Sequence, residues 1–267
     1  MTKNSNLKIL LIGDVVARPG RRAVQTVLPQ IKEEEGVDLV IANAENLAGG
    51  KGINEKGLYE MIDAGVDFFT SGNHVFYRGG WEDLLENESL GVVRPANYAA
   101  DVPGVGYIRT EVKGVPVVIM NLEGQYSMDA PVNNPFLSFD KLFAEVVKEG
   151  DIVILDFHAE ATSEKRAMGF YVDGRANIIY GTHTHVPTAD AQVLKGGTFY
   201  ISDVGMCGNN ESVLGVKKDI IINRFINPKP RIFEWEYEGE KIFNSVLVEI
   251  SSQKTVVGFA RADKVIP

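Results

Sequence analysis

Apolar runs alternate with amphipathic segments over the first two-thirds of the chain. The run Leu7–Ile12 is broken only by Lys8, as expected of a strand buried on both faces. After Pro19, apolar residues recur with a spacing near 3.6 up to Gly36, which predicts a helix ended by a glycine. Similar patterns predict strands at Leu39–Ile41, Asp67–Phe69, Val117–Met120, Ile152–Phe157 and Ile178–Tyr180, and helices at Gly57–Ala64, Trp81–Leu85, Phe139–Lys148 and Ser163–Asp173.

The pattern changes after about residue 188. Short β-like runs separated by turns are predicted at Gln192–Leu194, Thr198–Ile201, Ile220–Ile222, Ile232–Tyr237 and Ser245–Ile250. Alternation followed by such a series of strands indicates an α/β layer continued by a mostly antiparallel sheet. No change in composition, repeat or low-complexity segment marks a linker, so residues 1–267 are expected to form one domain.

Composition and charge fit a globular chain and argue against nucleic acids as partners. With 267 residues and 45% hydrophobic content, the chain has material for one large core, and 24% charged residues give no sign of disorder. The net charge of −9 repels phosphate backbones at long range, so no dedicated nucleic-acid binding is expected. A small phosphorylated substrate held by bound cations remains compatible with this charge.

Cysteine content and hydropathy predict a soluble, cytoplasmic protein. The single cysteine, Cys207, can form neither an internal disulfide nor a multi-cysteine metal site, and we expect a buried or loop thiol. The first apolar run is too short for a signal peptide and is interrupted by Asp14. No stretch approaches the ~20 apolar residues of a membrane span.

Polar side chains follow five of the predicted strands, at the point where each strand ends. They are Asp14; Glu45 and Asn46; Asn73 and His74; His158; and His183 with His185. Because the carboxyl ends of parallel strands share one edge of an α/β sheet, where ligands bind, we expect these eight residues to lie together. All four histidines of the chain belong to this set.

The chemistry of the eight residues favours metal binding. Imidazole, carboxylate and amide oxygen form a mixed nitrogen and oxygen set that suits Mn, Fe or Zn. Eight residues fit two ions better than one, and two metals ~3.5–4 Å apart can hold a phosphate and generate a hydroxide. Taken singly, Asp14 is better explained as a helix cap, Asn73 as a turn residue and His158 as a buried histidine. Their joint arrangement outweighs these interpretations.

Two nucleotide-binding motifs are absent from the sequence. Lys51 in the glycine-rich segment is followed by Gly52 and not by the serine or threonine of a P-loop. The dinucleotide-binding fingerprint after Gly13 would need glycines where Val15 and Arg18 stand.

The motifs resemble those of the calcineurin-like metallophosphoesterases. Gly72-Asn73-His74 and Gly181-Thr182-His183-Thr184-His185 look like the G-N-H and G-H-x-H blocks of that superfamily. Two departures are visible, because Asp14-Val15-Val16 lacks the histidine of the usual D-x-H block and Asn43-Ala44-Glu45-Asn46 replaces the usual bridging aspartate. Both departures resemble the pattern of the bacterial YmdB-like phosphodiesterases.

This resemblance implies a fold, a cofactor and an activity. The fold would be a two-sheet αββα sandwich with mixed sheets, and the cofactor a binuclear iron or manganese centre, with zinc as an alternative. Asp14, Asn46 and His185 would hold one metal. Asn73, His158 and His183 would hold the other, and Glu45 would bridge the two. His74 would donate a proton during hydrolysis of cyclic nucleotides, with 2′,3′-cyclic AMP as the expected substrate.

Two other functions remain open at this point. The same metal chemistry serves other phosphomonoesterases and nucleotidases, and specificity would lie in rim loops such as Leu47–Asn54 and Gln125–Pro135. A metal-containing signalling or binding protein with little turnover would need the same ligands. The expected partner is a small phosphodiester, without a membrane, and the protein is a candidate homo-oligomer.

Overall fold

Two mixed β-sheets form the centre of the computed structural model, which describes residues 6–227, 229 and 232–267. The strands are β1 Leu7–Asp14, β2 Leu39–Asn43, β3 Phe68–Thr70, β4 Tyr107–Val112, β5 Val115–Glu123, β6 Ile152–His158, β7 Ile178–Thr182, β8 Gln192–Val193, β9 Phe199–Ile201, β10 Gly208–Asn209, β11 Ser212–Val213, β12 Val216–Lys217, β13 Lys241–Phe243, β14 Ser245–Ile250, β15 Val256–Arg261 and β16 Lys264–Ile266. The helices are α1 Ala17–Glu35, α2 Glu55–Ala64, α3 Trp81–Glu86, α4 Pro135–Val146, α5 Thr162–Val172 and α6 Lys218–Ile226.

The first sheet has the strand order β15-β14-β1-β2-β3, and the second has the order β4-β5-β6-β7-β9-β8. Strands β1, β2 and β3 run parallel, whereas β14 and β15 are antiparallel. In the second sheet β5, β6, β7 and β9 run parallel between the antiparallel edge strands β4 and β8.

Alternate side chains of β1 point to opposite faces of the first sheet and pack against the layer on each side. Ile9 and Leu11 pack with Ile119 and Ile154 of the second sheet in the core between the sheets. Leu10 and Ile12 point to the opposite face, where they join the apolar stripes of α1 and α2. Helices α4 and α5 cover the outer face of the second sheet in the same way. The two-sheet αββα sandwich with mixed sheets is therefore confirmed.

Most predicted elements of the first two-thirds of the chain are present. Helix α1 ends at Gly36, whose φ of 65° and ψ of 48° place it in the left-handed region that glycine adopts without strain. Its start lies at Ala17, so Pro19 falls inside the first turn. Strand β4 was not predicted, because it lies at a sheet edge where no side chain is fully buried.

The expectation for the last third of the chain is wrong in three respects. Ile220–Ile222 belongs to α6, because a run of three apolar residues does not distinguish a strand from a helix. Ile232–Tyr237 contributes only one isolated bridge, between Trp235 and Val216. The last third does not form one antiparallel sheet; among the described residues it forms two small antiparallel sheets, β10-β13-β16 and β11-β12. Strand β14 instead pairs with β1 in the first sheet.

Of the helices in the described part of the chain, none combines the length and the apolar character needed to cross a bilayer.

Candidate metal centre

The eight predicted residues lie at one edge of the sandwich. Asp14 and His158 are the last residues of β1 and β6, and the other six lie in the segments that follow β2, β3 and β7. The two sheets meet here directly, since the backbone N–H of His183 donates to Asp14 Oδ2 at 3.1 Å. The structure therefore brings the eight residues together at this edge.

Glu45, His158 and His183 form the tightest group. Each offers one ligand atom, and these atoms lie within 4.8 Å of one another. His158 Nε2 is 3.3 Å from Glu45 Oε2 and 3.0 Å from His183 Nδ1. Glu45 and His158 are fully buried.

Hydrogen bonds behind His158 fit the tautomer in which its Nε2 is unprotonated. When Thr182 Oγ1 donates to Asp156 Oδ1 at 2.8 Å, it accepts from His158 Nδ1 at 2.9 Å. Burial lowers the pKa of His158 to about 4, so the ring is neutral near pH 7. In this tautomer a lone pair on Nε2 faces Glu45 and His183.

His183 turns a second lone pair toward the same point. Its Nε2 is 3.1 Å from Glu160 Oε2, which makes Nε2 the protonated nitrogen and leaves Nδ1 facing His158. Burial lowers the pKa of His183 as well. With both rings in these tautomers, the two nitrogen lone pairs 3.0 Å apart repel one another, and a bound cation removes this repulsion. The donor set thus fits a metal ion.

Asp14, Asn46 and His185 form a second group beside the first. His185 Nε2 is 3.7 Å from Asp14 Oδ1 and 3.3 Å from Asn46 Nδ2. Burial raises the pKa of Asp14, but the neighbouring His185 lowers it further, so the carboxyl titrates below its usual range. The pKa of Glu45 is about 2 because His158 and His74 outweigh the effect of its burial. Two buried carboxylates give the centre a field that attracts cations.

The amide of Asn46 is turned away from the orientation that metal ligation requires. Its Nδ2 faces Glu45 Oε1 at 3.0 Å and Asp14 Oδ1 at 3.5 Å, whereas Oδ1 lies 2.8 Å from His74 Nδ1. An amide binds cations through oxygen, so Asn46 would serve as a ligand only after a rotation of its amide by about 180°. The structure brings Asn46 to the cluster but not in ligating orientation.

The side chain of Asn73 carries an oxygen that a metal ion could bind. Its Oδ1 is buried and has no hydrogen-bond partner among the described residues. The backbone before it lies against the metal-facing histidine, because a Cβ on Gly72 would stand 2.1 Å from His158 Cδ2. Glycine is therefore required at position 72 for this close approach.

His74 lies on the other side of Glu45. Its backbone N–H donates to Glu45 Oε2 at 3.0 Å, and its Nδ1 is 3.1 Å from Glu45 Oε1. The side chain is 24% exposed, unlike the buried His158. His74 is the most exposed histidine of the cluster, followed by His183 at 19%, so a substrate can reach it from solvent.

Sequence reasoning missed the residues that support the cluster from behind. Thr182, Asp156 and Glu160 orient His158 and His183, as described above. A carboxylate inside the apolar strand β6 was the available signal for Asp156, whose pKa burial raises to about 8. Cys207 is a buried free thiol as expected, and burial raises its pKa.

A groove of the protein lies away from these residues. A groove of about 530 Å³ is bounded by Tyr98, Asn134 and Leu137, among others, and touches none of the eight residues. The convergence of donor atoms locates the centre.

Comparison with known proteins supports one family. The sequence pattern of the family described as YmdB-like protein matches residues 10–261, a range that includes all eight residues. The 2′,3′-cyclic-nucleotide 2′-phosphodiesterase of Bacillus subtilis (strain 168) is 41% identical over 247 residues, which cover 92% of each chain.

Two solved structures share the whole fold. A hypothetical protein from Thermus thermophilus superposes with a TM-score of 0.91 at 40% identity, covering 98% of this chain and 100% of that one. A novel phosphatase from Mycoplasma pneumoniae superposes with a TM-score of 0.90 at 34% identity, covering 97% and 94%. The match over residues 10–261, together with these similarities, shows that the chain belongs to the YmdB-like protein family.

Proposed function

We propose that this protein is a metal-dependent phosphodiesterase that opens 2′,3′-cyclic nucleotides, with 2′,3′-cyclic AMP as its substrate. Its relatives are named as a phosphodiesterase and a phosphatase, so the chain is a hydrolase acting on phosphoester bonds. The observation that carries the metal dependence is the convergence of three donor atoms: His158 Nε2 and His183 Nδ1 lie 3.0 Å apart, beside the carboxylate of Glu45.

The proposed centre is binuclear. Asn73, His158 and His183 would hold one ion, and Asp14, His185 and a rotated Asn46 the other. Glu45 would bridge the two, since its carboxylate reaches His158 on one side and Asn46 on the other. The nitrogen and oxygen donors favour iron or manganese, with zinc as an alternative. When bound, such ions neutralise the phosphate and supply an activated water near neutral pH.

His74 is proposed to protonate the ribose oxygen that leaves phosphorus. Its Nδ1 is engaged by Asn46 Oδ1 and Glu45 Oε1, which orients the ring and leaves Nε2 as the nitrogen that can give up a proton. Partial exposure lets the leaving group approach the ring.

Three further expectations stay proposals. Residues 1–267 form one domain, the protein works in the cytoplasm, and copies of the chain associate into a homo-oligomer.

A substrate panel tests the proposed activity. We expect turnover of 2′,3′-cyclic AMP to adenosine 3′-phosphate, with loss of activity after chelation and recovery with Mn²⁺ or Fe²⁺. The other substrates should include AMP, p-nitrophenyl phosphate and a linear dinucleotide. Faster hydrolysis of the phosphomonoesters would favour a nucleotidase. Absence of turnover by protein that has its full metal content would favour a signalling or binding protein.

A further inference from the structure

A buried ion pair lies beneath the segment that carries His183 and His185. Lys165 of α5 and Asp203 are 2% and 0% exposed, and Lys165 Nζ donates to Asp203 Oδ2 at 2.8 Å. Among the described residues, neither side chain forms a hydrogen bond or ion pair with any of the eight residues of the proposed centre. The reaction proposed above does not use this pair.

Both members of the pair hold the backbone of the histidine segment. Lys165 Nζ donates to the carbonyl oxygen of Thr182 at 2.7 Å. Asp203 Oδ2 accepts from the backbone N–H of Thr184 at 3.0 Å and from its hydroxyl at 2.7 Å. The segment is thus fixed on either side of His183.

Asp203 also connects this segment to the next loop. Its Oδ1 accepts from the backbone N–H of Gly205 at 2.8 Å, and the N–H of Met206 donates to the carbonyl of His185 at 2.9 Å. The histidine segment is therefore held from both of its ends.

The held backbone is strained at both histidines. His183 has a φ of 96° and His185 a φ of 65°, both in the region that side-chain-bearing residues rarely adopt. Such conformations persist only where the surroundings impose them, and they cluster at functional sites. Here they turn the side chains of His183 and His185, which follow strand β7, toward the same cluster.

We propose that Lys165 and Asp203 are positioning residues that impose the ligating conformation on His183 and His185. The inference rests on the proposed metal centre and adds the element that preorganises two of its three histidine ligands. The pair acts through the backbone of Thr182 and Thr184, so its loss should weaken metal binding before it affects any other property. A purely structural pair would affect the stability of the fold instead.

The double variant Lys165→Met/Asp203→Asn tests this role without leaving an unpaired buried charge. Neutral residues of similar volume in place of a buried ion pair often leave stability unchanged. We expect the Kd for Mn²⁺, measured by calorimetric titration of metal-free protein, to rise roughly 10- to 100-fold, as when other supports of metal ligands are lost. The melting temperature of the metal-free protein should stay close to that of the wild type.

Two further variants keep the test decisive. Thr184→Val removes only the hydroxyl bond to Asp203, so it should raise the Kd for Mn²⁺ by a smaller factor even if the double variant fails to fold. Arg109→Met is the matched control, because it breaks the pair of Arg109 with buried Asp151 at the opposite end of β6. The control should lower the melting temperature and leave the Kd unchanged.

Unchanged Mn²⁺ affinity in the folded double variant and in Thr184→Val would overturn the positioning role and leave the proposed metal centre intact. A wild-type protein that binds no Mn²⁺ would instead contradict the proposed centre itself, and the positioning role with it.

Discussion

Replacing His74 with alanine is expected to lower kcat for 2′,3′-cyclic AMP by roughly 10²-fold or more, the usual contribution of a general acid. Metal content should not change, because His74 contacts Glu45 and Asn46 from the solvent side and is not among the proposed ligands. The measurement is steady-state kinetics combined with elemental analysis of the same preparation.

A substrate with a better leaving group provides the control for this result. A p-nitrophenyl diester releases an anion that is stable without a proton, so His74→Ala should lose far less activity on it than on the cyclic nucleotide. Equal losses on both substrates would mean that the substitution damages the centre as a whole. Turnover at the wild-type rate by a fully metallated variant would exclude His74 as the donor.

Replacing Glu45 with glutamine should remove activity and strip metal from both positions. Glu45 contributes a buried negative charge between the two histidine groups, and the pKa near 2 shows that this charge is present at neutral pH. Glutamine keeps the size of the side chain but removes the charge that a bridging ligand needs. Metal content per chain after extensive dialysis measures the effect.

Glu123→Gln is the matched control for this change. Glu123 is a buried carboxyl at the end of β5, next to β6. Its Oε2 accepts from the hydroxyl of Tyr98 at 2.9 Å, and within the described part of the chain its side chain bonds none of the eight residues. Burial raises its pKa to about 8, so its charge at neutral pH is already small. We expect metal content to be unchanged in this variant. Full retention of metal in Glu45→Gln would contradict a bridging role.

The pattern of hydrophobic residues along the chain predicts those helices and strands whose buried residues recur at a regular spacing. Leu7–Ile12 and the stripe of α1 are examples, because every turn or alternate residue contributes to a buried face. Elements that bury little carry no such signal: no residue of α6 is buried, and its run Ile220–Ile222 has the apolar pattern of a strand. The position of β14 beside β1 depends on pairing between the two ends of the chain, which no local pattern records.

The sequence predicts more of the site than of the fold in the last third of the chain. Strand ends determine where Asp14, His158 and His183 lie, since parallel strands place their carboxyl ends together. The supports could not be predicted in this way. Thr182 reaches His158 because β7 pairs with β6 in one register, and Asp203 reaches the histidine segment only in the folded protein. The amide orientation of Asn46 likewise follows from its neighbours in space.

Metal stoichiometry tests the central claim most directly. The protein should be purified without added metal or chelator and with air excluded, and its metal content determined by elemental analysis. We expect about two equivalents of iron or manganese per chain, as a binuclear centre requires. A chain that binds no metal, even after reconstitution with Mn²⁺ or Fe²⁺, would contradict the proposed centre and the phosphodiesterase mechanism that depends on it.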